Sequence, residues 1–185
     1  MDTKPGDLLY TRSVGLVGGL IRFGEDIRYH GWLEALRNAW YRLVLHDDLV
    51  PESDLCWGNH IVVVGDGYLI EALAQGVTRS PLSKYSDKTA LVLPLEKVLP
   101  GATDSDRAKV VRFAEQQLAL HAQYSWLGIA SIIIQLITPT RLDISWDGQV
   151  ICSALGGRAW EHAGVILPTK SPYTTMPADL RAMVQ

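Results

Sequence analysis

The stretch His60-Ile61-Val62-Val63-Val64-Gly65-Asp66-Gly67-Tyr68-Leu69-Ile70-Glu71-Ala72-Leu73 limits the fold more than any other part of the chain. Two runs of β-branched and apolar residues flank Gly-Asp-Gly, and such side chains fit a pleated, half-buried surface. The pattern predicts a hairpin. With Asp66-Gly67 as a two-residue turn, Gly65 faces Tyr68 and paired residues have numbers adding to about 133. His60 then lies opposite Leu73, and Glu71 sits diagonally beside His60 on one face of the sheet. A three-residue turn would separate them, because one step of register moves every side chain to the other face.

At 185 residues, 48% of them hydrophobic, the chain is long enough to bury a core and suits one domain over 1–185. A net charge of -3 and a pI near 5.9 supply no basic patch, which argues against nucleic acid as a partner. Cys56 and Cys152 make no disulfide framework and no Cys-x-x-Cys pair, so a reduced, intracellular setting fits. Met1 to Asp7 lacks the layout of a secretory signal, and the expected location is cytoplasmic as encoded, with a phage or prophage origin also open. The longest apolar run, Trp126 to Ile137, is broken by Gly128, Ser131 and Gln135 and is too short to span a bilayer. It reads as a buried helix, or alternatively as one lying on a membrane surface.

Around the hairpin the elements suggest an α+β order. Leu8-Leu9-Tyr10, after Pro5-Gly6-Asp7, predicts a short strand. Val14 to Phe23 is apolar but carries Gly15, Gly18 and Gly19, each costing a helix about 1 kcal/mol against alanine. A loop or close backbone packing is as good a reading there as a helix. The segment from about 25 to 57 looks inserted. Within it, Gly31 to Leu45 carries Trp32, Leu36, Trp40 and Leu43 at helical spacing, expected to face the core, or alternatively to form a lid or substrate-facing wall. His30 and His46 are expected to be exposed or capping. Val77 to Leu82 reads as a loop, and Ala90 to Leu95 as a strand ended by Pro94. Thr103 is placed to cap a helix to about His121, with Val110, Val111, Ala114 and Leu118 as its apolar stripe. A second helix, over Tyr124 to Ile137, stops at Thr138-Pro139. The tail after Leu167, with Pro168, Pro172 and Pro177, reads as irregular.

Val150-Ile151 leads into Cys152-Ser153-Ala154-Leu155, where a helix running toward Gly164 begins. A cysteine in a first helical turn meets unpaired N–H groups and the positive end of the macrodipole, which favour thiolate. Buried cysteines also often do no more than pack. A nucleophilic cysteine needs a base, and the base needs an acceptor on its other ring nitrogen. His60 and Glu71, on neighbouring strands, supply both types of group, although spacing alone does not bring Cys152 to His60.

Five segments occur in a telling order: Lys4-Pro5-Gly6-Asp7-Leu8-Leu9, Asn59-His60-Ile61-Val62-Val63-Val64, Leu69-Ile70-Glu71-Ala72, Tyr124-Ser125-Trp126-Leu127-Gly128 and Ile151-Cys152-Ser153-Ala154-Leu155. Together they resemble the circularly permuted NlpC-like cysteine hydrolases, the YiiX/YebB-like group of the papain-like superfamily, over most of the chain except about 25–57. The resemblance implies a permuted papain-like fold, an antiparallel sheet or small barrel packed against helices. It also implies Cys152 as nucleophile, His60 as base and then acid, and Glu71 as orienting carboxylate. Tyr124, with the Cys152 N–H, is the implied oxyanion side, and Tyr10 is a further candidate there. No metal and no cofactor is implied. Asn59 stands where a serine is common, and Ala154 where Cys-Ser-Glu-Leu would have glutamate; neither change removes a catalytic atom.

The resulting expectation is amide hydrolysis through a thioester, with a peptide or peptidoglycan fragment as substrate. Acyl transfer or deacylation of an acyl-lipid would use the same thiolate, and a groove that is apolar and deep would favour it. A catalytically silent binding module is the reading from another class. Cys56 and His60, four residues apart, could also begin a zinc site, but two ligands do not make one and no third is suggested locally.

Overall fold

Strands β1 (Leu8–Thr11), β2 (His60–Val64), β3 (Tyr68–Leu73), β4 (Gly76–Pro81) and β5 (Ala90–Leu93) form an antiparallel sheet in the order β4-β3-β2-β1-β5. They belong to a computed structural model that describes residues 2–12, 16–45, 50–85, 89–127, 130, 149–169 and 174–185. The hairpin has the expected register: Val62 pairs with Glu71, Val63 with Ile70 and Val64 with Leu69. The Gly65 N–H donates to the Tyr68 carbonyl at 2.8 Å, which makes Asp66-Gly67 the two-residue turn. Gly67 takes a φ of 80°, a left-handed value that glycine adopts without the penalty a Cβ would bring.

Alternation sorts the sheet into two faces. Leu8, Tyr10, Ile61, Val63, Ile70 and Ala72 belong to the main core with Val110, Phe113 and Ala114 of helix α4 (Asp104–Ala119) and Leu155, Ala159 and Trp160 of helix α5 (Cys152–His162). Each such aliphatic side chain contributes about 1.5–3 kcal/mol by leaving water. Leu9, Val62, Val64 and Leu69 occupy the opposite face with Ala90. At Gly156 a Cβ would stand 2.5 Å from Ile61 Cγ2, so the glycine lets α5 lie directly on β2. Thr103 caps α4 with a reciprocal capping box to Asp106, as its position in the sequence predicts.

Several expectations are corrected. Helix α1 (Leu16–His30) forms across the glycine-rich stretch, and it turns Arg22, Glu25 and Asp26 inward. Helix α2 (Trp32–Trp40), continued by a π-helical turn over Tyr41–Leu45, does not bury its aromatic stripe: Trp32 is 50% and Trp40 60% exposed, and Leu36 and Leu43 are exposed too. Ala35 and Asn38 are the buried residues instead, and Asn38 donates to Asp26 of α1 at 3.2 Å. Helical spacing identifies a stripe; the small residue on the other side permitted the closer helix approach.

Gly76–Pro81 is strand β4, where a loop was expected, because its alternating polar residues lie on an edge strand with β3 on one side only. Leu95 does not belong to the strand before Pro94 but opens the short helix α3 (Leu95–Val98). The proline-rich tail ends in helix α6 (Pro177–Ala182), with Pro177 in the first turn, where a missing N–H costs nothing, and Asp179 accepting the Met176 N–H at 2.8 Å. The helix expected over 124–137 lies mostly outside the described residues. Its start is instead a two-residue strand, β6 (Gln123–Tyr124), parallel to β7 (Gln149–Val150). No helix among the described residues is long and apolar enough to cross a membrane.

Candidate active site

Cys152 is the first residue of α5 and follows β7 by one residue, Ile151, which makes no side-chain cap. The first turn therefore lacks a side-chain acceptor for its N–H groups. The Cys152 sulfur receives the Ser153 N–H and also that of Ile61. The Ile61 bond follows from the register. The Gly65 N–H points to β3, and alternation points the Val63 and Ile61 N–H groups the same way. The ladder ends at Val62–Glu71, so the next donor, Ile61, is left for the thiol.

His60 and Glu71 lie by alternation on the face of Val62, and Cys152 belongs to the helix-covered side; they meet at the end of the sheet where β2 begins. His60 Nε2 stands 3.0 Å from Glu71 Oε2. The ring is hydrogen-bonded to Cys152 as well, which leaves Nδ1 as the nitrogen facing sulfur. Glu71 is 0% exposed and accepts from four donors. Tyr85 Oη donates to Oε2 at 2.8 Å, and the Ser80 hydroxyl and Lys84 ammonium reach Oε1.

The charges are coupled through this series. Burial alone would raise the Cys152 thiol, but the His60 charge and hydrogen bond, with the two backbone N–H groups, bring it below its ordinary value. Burial would likewise lower His60, yet Cys152 and Glu71 raise it to about 9. Glu71, despite its burial, is held down at about 2 by hydrogen bonds from His60, Lys84 and Ser80. All three shifts run toward the ionised forms: thiolate at Cys152, imidazolium at His60 and carboxylate at Glu71.

Tyr124 pairs with Val150, two residues before Cys152, and its ring meets Trp126 edge-on at 5.1 Å. Burial, and then the Cys152 charge, push its hydroxyl above the usual tyrosine value, so it stays protonated. Tyr10 is placed elsewhere. Its hydroxyl donates to the carbonyls of Leu55 and of Gly58 (2.9 Å), which fixes the chain entering β2 and withdraws it from the oxyanion side. Cys56 and His60 do not form the zinc pair considered above, because both His60 ring nitrogens are taken.

Ser80, Lys84 and Tyr85 were missed from the sequence. They lie on β4 and the turn after Pro81, and polarity without an apolar period gave no sign that they face a carboxylate. Glu25 was missed too; it is fully buried on α1, and burial first, then nearby anions including Cys152, raise it well above its ordinary value. No protein-family model matches this chain, and no curated protein matches it in sequence.

Proposed function

We propose that the protein is a cysteine hydrolase of the circularly permuted, NlpC-like papain type, cleaving an amide bond through a thioester. The observation that carries this reading is the hydrogen-bonded series from the Cys152 sulfur through His60 to the buried Glu71. The thiolate attacks the carbonyl carbon and the carbonyl electrons move to oxygen. The Tyr124 hydroxyl and first-turn N–H groups of α5 are the donors nearest that oxygen. As the tetrahedral state collapses, the His60 proton goes to the leaving nitrogen and the C–N bond breaks. Neutral His60 then takes a proton from water, which attacks the thioester and regenerates the thiolate. Glu71 keeps the ring oriented and its charge stabilised throughout.

Peptidoglycan stem peptides are the first substrates to try, with new amine as the readout. The expected result is turnover that Cys152→Ser abolishes and His60→Ala lowers by about 10³-fold or more. Turnover that survives Cys152→Ser would end the proposal. The exposed stripe of Trp32, Leu36, Trp40 and Leu43 favours a second reading, in which an acyl-lipid is deacylated or its acyl group transferred. Incubation with phospholipid vesicles and mass analysis of the intact chain separates the two. An acyl chain on Cys152 selects the lipid reading, and its absence alongside peptide turnover selects the peptidase.

A further inference from the structure

Three potential metal-binding side chains outside the catalytic series converge where α1 meets the chain before β2. Asp26 and His30 lie one turn apart on α1, and Cys56 comes from the segment 50–59; their donor atoms all lie within 4.8 Å of one another. We propose that Asp26, His30 and Cys56 form a zinc site that ties the first helix to the catalytic strand. The set of one thiolate, one imidazole and one carboxylate suits a borderline-soft divalent ion better than magnesium or calcium, which prefer oxygen alone.

The neighbours of these three are arranged as a metal's outer shell requires. His30 Nε2 is 3.0 Å from Asp54 Oδ1, so Nδ1 turns to the metal while a carboxylate holds the other nitrogen. Asp26 accepts from Asn38 at 3.2 Å and from Arg42 at 2.9 Å, which fixes the carboxylate and leaves a lone pair on each oxygen. The Cys56 N–H donates to Asp54 Oδ1 at 2.7 Å, so the same carboxylate positions two of the ligands.

Among the described residues these three are the group of metal-ligating side chains whose donor atoms converge. Ligand atoms of tetrahedral zinc stand roughly 3.3–3.8 Å apart for bonds of about 2.0–2.3 Å, so the three donors, within 4.8 Å of one another, need close in by up to about 1.5 Å. His30 is on the exposed side, which gives an ion its way in and leaves the fourth position to water.

Cys56 stands four residues before His60, so a metal here would fix the path of the chain into the catalytic base without touching the reacting atoms. The test is titration of the metal-free full chain with Co²⁺, followed by displacement with Zn²⁺. One equivalent should give the thiolate-to-cobalt charge-transfer band and tetrahedral d–d bands, and Zn²⁺ should erase both. Cys56→Ser should remove the charge-transfer band and Cys152→Ser should keep it. Asp54→Asn should weaken Zn²⁺ binding about 10- to 100-fold, as loss of an outer-shell partner does elsewhere. No charge-transfer band in the wild-type chain overturns the site whatever the variants do. A band that survives Cys56→Ser but disappears in Cys152→Ser overturns it as well. None of these readouts uses catalytic activity, so the zinc site and the hydrolase reading fail separately.

Discussion

Two cysteines in one chain have opposite chemistry, and the reason lies in what surrounds each sulfur. Cys152 has a cation and two N–H groups against it, whereas Cys56 is buried beside Glu25, Asp26 and Asp54, and burial together with those anions pushes its thiol far up. A small alkylating reagent at pH 6 to 7 should therefore label Cys152 and spare Cys56, with peptide mapping as the measurement. Equal labelling would mean that the Cys152 thiolate is not stabilised. Labelling of Cys152 should keep its rate to lower pH than that of a free thiol, because His60 and the two N–H groups hold its thiol below the ordinary value. Turnover should fall above about pH 9, where His60 gives up the proton needed by the leaving group.

Glu71→Gln tests the carboxylate. The amide can still accept from His60 but carries no charge, so kcat should drop by about 10²–10⁴-fold while alkylation of Cys152 slows much less. The His60–Glu71 contact was legible at this scale because a hairpin of period two fixes which residues share a face, whereas the approach of Cys152 to His60 left no such sign in the sequence. Ser80, Lys84 and Tyr85 were not legible, since a donor to a buried carboxylate needs only reach and leaves no period behind.

At the scale of elements, the site depends on how closely α5 lies on β2. Gly156→Ala adds a methyl 2.5 Å from Ile61 Cγ2 and 3.1 Å from Leu8 Cδ1. Alanine gains about 1 kcal/mol of helix propensity, and overpacking costs about 1–3 kcal/mol, so the second effect wins. The expected outcome is a lower melting temperature and a loss of turnover larger than the loss of folded protein, because Cys152 moves with the helix away from His60. Unchanged turnover would mean that the contact does not set the cysteine–histidine distance. The α5 start, the hairpin and the α4 cap were readable from local chemistry. The burial of α2's Ala35 and Asn38 in place of its tryptophans was not, because amphipathic spacing is the same whether the stripe meets a core or solvent.

Over the whole molecule, the folded carboxylate at about 2 against an ordinary 4.5 makes stability depend on acid. A depressed carboxylate contributes stability that is complete above about pH 4.5 and is lost as pH falls toward 2. Melting curves of the wild type and Glu71→Gln should therefore converge as pH falls through that window. Curves that stay parallel would show that Glu71 is no better paired folded than unfolded. The tail contributes to the same assembly: α6 gives the Ala178 N–H to Glu25 at 2.7 Å, and Tyr29 of α1 donates to Asp179 at 2.6 Å.

The hairpin that joins His60 to Glu71 closes over a dozen residues, while Cys152 follows about 80 residues later. On a ribosome adding about 5–20 residues per second, His60 and Glu71 can pair several seconds before Cys152 has been made. The growing chain therefore carries no competent thiolate until its last quarter emerges and α5 docks. Synthesis order alone thus delays the meeting of the thiol with its histidine until the chain that carries both has folded.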